Sequence, residues 1–593
     1  MAASLGCAIW LIAAPVAFAL DDLQFAVEGD DDLREQLRNS SLLVAAQTEG
    51  VSDPQELLAA ALADYGRLIG SLYNQGYYGG VINILVDGVE ATEISPLARL
   101  NAIDRISVRV APGPSYRFSR AEIGPLAPDT VIPEEFAVGG TARSVFVEDA
   151  ANAAVSGWRD VGNAKARIAD QSAIAQHDQN TLAVAIDVAP GPRVTFGNLI
   201  LRGSEAVRPE RLRAIAGLPT GEVFDPDELQ GAADRLRRTQ VFSSVALIEN
   251  ETLGPGNTMD IVAQLAGQPP RRIGFGAEVS TVEGVGLTAF WLHRNLFGGA
   301  ERFRIDGSIS GIGGSTGGTN YSLDARFQRP ATFSPHNTFF IDAELARLDE
   351  PDYTSDVGTL GFGIERLVND EVSISYGLAY RFSQVEDDAG ERNYSMLTLP
   401  LTAVFDNREQ PLDAKGGAYV NLTATPFLGL NEQTDNGTRI TFDARSYLSF
   451  GQEERVTLAG RLQGGSIVGA DLAQVPNEYR FYSGGGGSVR GQQYQSLGIT
   501  LDGVESGGAS YLGLSAEIRT EITESIGVVA FADYGLVGPD ATPGSDANSH
   551  SGAGLGLRYL TPIGPIRLDV AAPIDGPDDP SGIEVYIGIG QAF

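Results

Sequence analysis

The second half of the chain alternates between apolar and polar residues, and this alternation constrains the fold more than any other feature. In the segment SIGVVAFADYG, Val528 and Ala530 share one face, whereas Phe531 and Asp533 share the other. Because side chains of a β-strand point alternately to opposite faces, a period of two predicts strands. Clusters of Gly, Asn, Asp and Pro separate the segments, as turns do. Helical periodicity is missing here, so we predict an all-β domain at residues 270–593.

Charged residues lie on one face of each predicted strand, which indicates a polar interior and an apolar exterior. In GPIRLDVAAP, Leu568 and Val570 point one way, and Arg567 and Asp569 point the other. A closed barrel in lipid shows this pattern, because its strand ladder satisfies every backbone hydrogen bond. The segments begin near residues 271, 285, 300, 319, 337, 355, 372, 392, 416, 437, 455, 508, 525, 552, 564 and 583. This even number predicts a 16-stranded transmembrane β-barrel, with a soluble β-sandwich or propeller as the alternative.

The N-terminal segment resembles a secretory leader. Residues 1–19 are mostly apolar and end in Ala17, Phe18 and Ala19, the small-x-small pattern that a signal peptidase cleaves. We predict a signal peptide at residues 1–19, with an uncleaved membrane anchor as the alternative. The single cysteine, Cys7, falls inside this segment, so the mature chain would contain neither disulfides nor reactive thiols.

The charge balance argues against nucleic acid as a partner. The chain carries 42 basic and 76 acidic residues, a net charge of -34. A protein that binds nucleic acid needs a basic stripe to neutralise phosphates. The strongly acidic composition therefore disfavours this class of function.

Patterns that would indicate catalysis are weak. GGSTG at residues 313–317 fits the G-x-S-x-G pattern, but Ser315 lies between two predicted strands rather than at a strand-to-helix turn. The four histidines fall in different segments without the spacing of metal ligands. The chain has two lysines, Lys165 and Lys415, and neither follows a phosphate-binding glycine loop. We expect no catalytic residue, no metal site and no cofactor.

A repeat organises the first half of the chain. VAPGPSYRF at 110–118 recurs as VAPGPRVTF at 188–196, and a degraded copy ends at Phe275. Three units of similar length are therefore expected before the barrel. In the third unit a predicted strand is followed by two helical segments and two further strands, so we predict an order of β-α-α-β-β. The predicted units cover residues 20–113, 114–191 and 192–269.

A glycine-rich stretch, GGGGSVRGQQYQSLG at residues 484–498, leads to a single arginine. Its Val489, Arg490 and Gly491 resemble the V-R-G-aromatic signature in the sixth extracellular loop of the Omp85 superfamily. Gln492 stands where that family has an aromatic residue, and Tyr494 follows two positions later. This difference predicts either that Tyr494 takes over the aromatic contact or that the loop is looser.

Other segments extend the resemblance to the Omp85 superfamily over essentially the whole mature chain. FADYG resembles the F-x-D-x-G strand motif of the family, with Phe531, Asp533 and Gly535 matching. HRNLFG at residues 293–298 resembles the second-strand region. FDNREQPLDAKGGAYV resembles the turn motif of the family, with Asp406, Arg408, Pro411 and Gly416 matching. The resemblance implies that the three N-terminal units are periplasmic POTRA domains before an outer-membrane barrel.

The resemblance also supports an anchor for the glycine-rich loop. A guanidinium offers five donors in a rigid fork that suits a carboxylate. We therefore predict that Arg490 folds into the barrel and pairs with Asp533 on the thirteenth strand, with a solvated loop charge as the alternative.

A second predicted site is the seam between the first and the last strand. Gly588 and Gly590 lie where side chains would otherwise strengthen cross-strand packing, and the chain ends at Phe593. A weak seam could open sideways and expose an unpaired strand edge, which templates another strand. The alternative is that these glycines only relieve crowding.

Three N-terminal units resemble the TamA branch of the superfamily, whereas BamA-like chains carry five and two-partner secretion transporters carry two. This resemblance implies an assembly factor that inserts or translocates β-barrel clients such as autotransporters through the seam. It also implies contact with outer-membrane lipid and an inner-membrane-anchored, TamB-like periplasmic partner. A polypeptide secretion pore of the two-partner type and an envelope-bridging component for lipid transport remain the alternatives.

Overall fold

The computed structural model describes residues 22–593 except 97, 99, 101, 204, 282, 452–453, 562–563 and 577–581. The predicted signal peptide and Cys7 lie outside the described residues. The chain divides into two compact units. The first runs to Asn198 and adds Pro219–Glu228 and Asn250–Asp260, and the second contains Leu199–Leu218, Leu229–Glu249 and Ile261–Phe593. No helix in the described part of the chain has the length and hydropathy needed to cross a membrane.

The first N-terminal sheet packs against three helices, one more than the predicted order β-α-α-β-β contains. Its elements are β1 (Leu23–Val27), α1 (Asp31–Ser40), α2 (Leu42–Thr48), α3 (Pro54–Asn74), β2 (Val81–Val86), β3 (Val89–Glu90) and β4 (Ile106–Ala111). The strand order is β1-β4-β2-β3, with β1 parallel to β4. Ser41 separates α1 from α2 because its backbone is extended and its side chain caps α2 at Val44. The buried carboxylate of Asp64 accepts a 2.6 Å hydrogen bond from Ser41 Oγ and holds this break.

The second N-terminal sheet has one helix instead of the two that were predicted. Its elements are β5 (Arg117–Gly124), α4 (Ser144–Asp160), β6 (Arg167–Gln176) and β7 (Thr181–Ala189), in the order β5-β7-β6. The segment between β5 and α4 forms turns rather than a helix. Pro125, Pro133 and the pair Gly139-Gly140 account for this, since proline and glycine disfavour helix interiors.

The third sheet has the predicted order β-α-α-β-β. It contains β8 (Thr195–Gly203), α5 (Pro209–Ala216), α6 (Pro226–Arg238), β9 (Phe242–Glu249) and β10 (Thr258–Gly267), with strand order β8-β10-β9. Gly217 ends α5 in the left-handed conformation that helix C-termini favour (φ 59°). The predicted boundaries at 113/114, 191/192 and 269/270 fall in connections between elements, and the boundaries themselves stay predictions.

The rest of the chain forms a closed antiparallel barrel with a small hairpin in one loop. Its strands are β11 (Arg271–Ser280), β12 (Gly284–His293), β13 (Arg302–Ile312), β14 (Asn320–Arg329), β15 (Asn337–Glu350), β16 (Tyr353–Leu367), β17 (Val372–Asp387), β18 (Gly390–Thr398), β19 (Leu401–Asp406), β20 (Gly417–Gly429), β21 (Gly437–Phe450), β22 (Val456–Val468), β23 (Ile499–Leu501), β24 (Val504–Ser506), β25 (Ser510–Glu521), β26 (Ile526–Gly538), β27 (Asn548–Tyr559), β28 (Ile566–Asp575) and β29 (Glu584–Ile589). All except the hairpin strands β23 and β24 belong to the barrel.

The predicted count of sixteen barrel strands is confirmed, because two of the seventeen segments form one strand. Both β18 and β19 pair with β17 on one side and with β20 on the other. The break falls at Leu399 and Pro400, where proline cannot donate a ladder hydrogen bond. Along β26 the burial alternates as predicted, with Phe531 and Asp533 buried and Val528 and Ala530 exposed. On β26 and β28 the charged Asp533 and Asp569 are buried towards the lumen, whereas the apolar Val528 and Val570 are exposed on the outer face.

Candidate functional site

The loop between β22 and β25, residues 469–509, enters the barrel, and we call it the lumen loop. Two short 3₁₀ turns and the β23-β24 hairpin lie in it. Gly484 and Gly485 have positive φ angles of 118° and 89°, which side-chain-bearing residues rarely adopt. Gly484 N–H donates to Ser488 Oγ at 2.8 Å, and Gly485 N–H donates to the Gln492 carbonyl at 3.0 Å. The glycines thus fold the backbone tightly just before Arg490.

Arg490 lies buried in the lumen, only 3% exposed, and is held by carboxylates from three strands. Its Nε and Nη2 donate to the two oxygens of Asp533 on β26 at 2.7 and 3.0 Å. Its Nη1 donates to Glu517 of β25 at 2.7 Å and lies 3.5 Å from Asp569 of β28. The structure therefore brings Arg490 and Asp533 together in the two-pronged geometry that a guanidinium favours.

Two more arginines balance the negative charge of the three carboxylates around Arg490. Arg519 Nε donates to Glu517 at 2.8 Å, and Arg558 Nη1 donates to Asp569 at 2.5 Å. With Arg490 and Asp533, three cations face three carboxylates, and all six side chains are largely buried. We call these six residues the lumen charge cluster. Because each buried charge has an opposite partner, the cluster avoids most of the cost of an isolated buried ion.

The F-x-D-x-G segment of β26 presents three successive lumen-facing positions to the loop. The Phe531 ring lies under the Arg490 guanidinium, 3.6 Å from its Cζ, which adds a cation–π contact. Asp533 supplies the ion pair. A Cβ atom on Gly535 would lie 2.9 Å from Val489 Cγ2, closer than packing allows. Glycine at this position therefore leaves the space that Val489 fills, and Val489 is fully buried.

The residues after Arg490 hold the loop against β27, β28 and β29. Gly491, with φ of 91°, lies against Ala572 of β28 and donates its N–H to Tyr586 Oη at 3.2 Å. Gln492 is fully buried, and its Nε2 donates to the Ser551 carbonyl at 2.7 Å and to a β28 carbonyl at 2.9 Å. The polar residue in the aromatic position thus fixes the loop by hydrogen bonds.

Tyr494 does not replace the missing aromatic residue. Its hydroxyl donates to Glu350 of β15 at 3.4 Å, on a different part of the wall from the strands that Gln492 contacts. Gln492 therefore occupies the aromatic position itself, and the expectation that Tyr494 takes over that contact is corrected.

The seam between β11 and β29 is short. Two ladder pairs connect these strands, Val279 with Ile587 and Ser280 with Tyr586. Thr281, directly after β11, adds a 3.1 Å hydrogen bond from its N–H to the Val585 carbonyl. By comparison, ten residue pairs connect β11 to β12. Outside the paired stretch, an ion pair of 2.6 Å between Arg567 of β28 and Glu278 crosses the seam. The remainder of β11 has no ladder partner on β29 among the described residues.

An apolar crevice lies beside the unpaired part of β11. Its volume is about 740 Å³, and Phe275, Leu287, Ile309 and Ile589 contribute to its lining. Phe275 is 84% exposed, which is unusual for a large apolar side chain outside lipid or a partner. The crevice and the free edge of β11 lie together on the outer face of the barrel.

The C-terminal residues leave the seam and turn into the lumen. β29 ends at Ile589, and Gly590 adopts a positive φ of 93°. Phe593 is buried with Tyr447 and Ala459, on strands far from β11 in the barrel order. Phe593 is therefore not a seam residue, which corrects the prediction. Lumen packing and a 3.0 Å hydrogen bond from Arg519 to its main-chain oxygen draw it inward.

The two predicted seam glycines have different environments. Gly588 faces the lumen within β29, and a Cβ there would lie 3.1 Å from Arg567 Nε. Gly590 lies beyond the strand at the inward turn. The turn after β19 meets this segment, because Leu412 O accepts the Gln591 N–H at 3.1 Å and Asp413 accepts its side-chain amide at 2.9 Å.

The lumen loop contacts both sides of the seam. On one side Gly491 donates to Tyr586 of β29, as described above. On the other, Gly486 N–H donates at 2.7 Å to Glu283, in the turn that follows β11. Burial of the Glu283 carboxyl raises its pKa above the usual value, and the Gly486 N–H partly offsets this shift. A displacement of the loop would therefore break hydrogen bonds both to β29 and to the turn that follows β11.

Sequence reasoning identified Arg490 and Asp533 but missed the other members of the lumen charge cluster. Asp569 had appeared only as a lumen-facing charge, and Glu517, Arg519 and Arg558 carry no local motif. Ser315 lies in the turn between β13 and β14. Within the described residues, no group of His, Cys, Asp and Glu has a geometry that could hold a metal ion.

The fold and the site define a class of protein, a polar-lumen membrane barrel with an inserted loop, a short seam and preceding α+β units. The chain belongs to the Omp85 superfamily, because the Omp85 superfamily domain model matches residues 295–593. A POTRA model, described as a surface antigen variable number repeat, matches residues 194–264. The barrel accordingly lies in the outer membrane, with POTRA domains in the periplasm.

Sequence similarity to two other proteins agrees with this membership. The chain is 23% identical over 422 residues to the outer membrane protein assembly factor BamA of Nitratidesulfovibrio vulgaris, covering 67% of this chain and 51% of that protein. It is 24% identical to the chloroplastic outer envelope protein 80 of Arabidopsis thaliana, covering 59% of this chain and 50% of that protein. The chain thus spans about half the length of these curated relatives.

Solved structures share the fold at low sequence identity. BamA from Haemophilus ducreyi lacking POTRA domains 1-3 has a TM-score of 0.61 at 16% identity, covering 80% of this chain and 100% of that one. CdiB from Acinetobacter baumannii has a TM-score of 0.52 at 14% identity, covering 81% of this chain and 90% of that one.

Proposed function

We propose that this protein is an outer-membrane assembly factor that helps β-barrel clients insert through the seam between β11 and β29. The observation that carries the proposal is the two-pair seam, which leaves most of the β11 edge without a ladder partner on β29. An unpaired edge exposes backbone donors and acceptors, and a client strand can satisfy them by β-augmentation. The nearby apolar crevice opens this edge towards lipid.

Assembly by this route needs no enzyme chemistry. The free energy of client folding supplies the driving force, because each added strand satisfies backbone hydrogen bonds that are costly to leave unmade in lipid. The name of the BamA relative, an outer membrane protein assembly factor, supports the same function. Three N-terminal sheets favour a TamA-like role, with autotransporter barrels as clients and a TamB-like periplasmic protein as partner.

A polypeptide secretion pore is the second candidate. The fold shared with CdiB and a lumen cavity of about 440 Å³ beside the lumen loop favour it. That cavity is polar and contains Arg439 and Asp443 on its wall. The lumen charge cluster opposes this candidate, since an extended chain could pass only after the buried Arg490 had been displaced.

The test reconstitutes the full chain in liposomes and adds a urea-unfolded autotransporter barrel. Folding is followed by the shift in electrophoretic mobility of the unheated client. We expect faster folding than in liposomes that contain a porin at the same protein-to-lipid ratio. Equal rates would contradict the insertase. Substrate-dependent block of a conductance in planar bilayers would instead support the pore, and a lipid-asymmetry defect with normal client folding would support lipid transport.

A further inference from the structure

A small cavity with an excess of positive charge lies where α5 and α6 meet the periplasmic ends of β13 to β16. Its volume is about 230 Å³, and its lining residues all belong to the second compact unit. Three arginines line it, Arg235, Arg238 and Arg302, against one carboxylate, Glu365. We call it the arginine cavity. Such a cluster is unexpected in a chain whose net charge is -34.

Most charges around the cavity already have structural partners. Arg235 Nε donates to the Ala216 carbonyl at 2.9 Å and thereby caps the end of α5. Glu365 accepts a hydrogen bond from Arg326 at 3.3 Å, so the only lining carboxylate is engaged elsewhere. Arg238 pairs at 2.6 Å with Asp370, which is 81% exposed. A solvent-exposed ion pair of this kind contributes little and is easily exchanged.

Arg302 is the exception. It begins β13, and its buried Nε has no hydrogen-bond partner among the described residues. The charges that act on it include Arg294, Arg304 and Arg326, with Asp306 as the opposing charge. Asp306 is itself held by Arg304 through hydrogen bonds of 2.6 and 2.5 Å. A partly buried guanidinium in this setting is costly unless an anion compensates it.

We propose that the arginine cavity binds an oxyanion of the phosphate class through Arg302 and Arg238. A guanidinium matches a phosphate by paired hydrogen bonds, and two guanidiniums can share its oxygens. The cavity is smaller than the roughly 300–1,000 Å³ of pockets for drug-sized ligands, so it suits one phosphate group rather than a longer molecule. The bound anion would join α6 to the barrel wall at β13.

The test is isothermal titration calorimetry, in which inorganic phosphate is titrated into the full chain in a phosphate-free detergent buffer. We expect saturable binding at one site. Arg302→Gln and Arg238→Gln should each weaken it about tenfold or more, because each removes a charged hydrogen-bond donor. Arg366→Gln is the matched control, since Arg366 adjoins Glu365 on the opposite, exposed face of β16. This control should bind like the original chain.

A parallel titration with a short-chain phosphatidylglycerol, added to the detergent micelles at increasing mole fraction, distinguishes the sources of the phosphate. Binding of both probes identifies a site for any phosphate group, and binding of the lipid alone identifies a headgroup site. No saturable binding of either probe would overturn the proposal. The proposal would also fail if Arg302→Gln and Arg238→Gln bound phosphate as tightly as Arg366→Gln does. Both variants must first be shown to be folded by the shift in their electrophoretic mobility between unheated and heated samples.

Discussion

Arg490→Gln should release the lumen loop from the barrel wall. The lumen charge cluster holds three cations and three carboxylates, so this change leaves two cations against three carboxylates. Breaking a buried ion pair by removing one partner costs about 3–5 kcal/mol, because the remaining charge stays poorly solvated. The ratio of docked to undocked loop should fall by about two to four orders of magnitude.

Hydrogen exchange measured by mass spectrometry over residues 484–498 reports this ratio. Faster exchange is expected in Arg490→Gln, and Arg490→Gln/Asp533→Asn should recover part of the protection because it restores equal charges. Arg347→Gln is the control, since its 3.5 Å pair with Asp356 is 65% and 55% exposed. It should change the local stability by at most about 1 kcal/mol. Equal exchange in Arg490→Gln and Arg347→Gln would refute the anchor.

Three further changes test neighbouring contacts. Gly535→Ala should overpack the contact with Val489 and destabilise docking of the lumen loop by about 1–3 kcal/mol, seen as faster hydrogen exchange of the loop. Gly460→Ala is the control and should leave the exchange unchanged, because the space around its Cβ position is open. Gly590→Ala should cost about 1–3 kcal/mol through strain at positive φ, seen as faster exchange of the C-terminal peptide. Burial raises the pKa of Glu283, so the folded protein binds more protons at this carboxyl than the unfolded chain does, and its stability should fall as pH rises above the usual value of 4.5. Glu283→Gln should flatten this pH dependence, and an unchanged profile would contradict the assignment.

The barrel could be predicted from the sequence because its two solvents differ so sharply. Lipid outside and a polar lumen inside impose alternation on every strand, so each strand begins within a few residues of its predicted position. The break at Pro400 adds a segment without changing the count. The repeat predicted three α+β units, but turn-forming prolines and glycines removed one helix from the second.

The site was less accessible to sequence reasoning. Arg490 and Asp533 belong to short motifs, whereas Glu517 and Asp569 are brought to Arg490 only by closure of the barrel. The same holds for Phe593, whose local alternation indicated a continuing strand. Its inward turn depends on Gly590 and on packing partners from distant strands, which the sequence around it does not encode.

A disulfide across the seam tests the central claim most directly. Val279→Cys/Ile587→Cys joins a directly opposed pair, whose Cα separation in an antiparallel ladder of about 4.5–5.5 Å suits a disulfide. Ile518→Cys/Ala530→Cys places the same bond between β25 and β26, which pair along their whole length. Both variants carry Cys7→Ala, which removes the only natural cysteine.

The account predicts that the oxidised seam variant no longer accelerates folding of the autotransporter barrel in liposomes and that reduction restores the acceleration. The β25-β26 variant should accelerate folding equally in both states. Equal acceleration by the oxidised and reduced seam variant would contradict insertion through the seam.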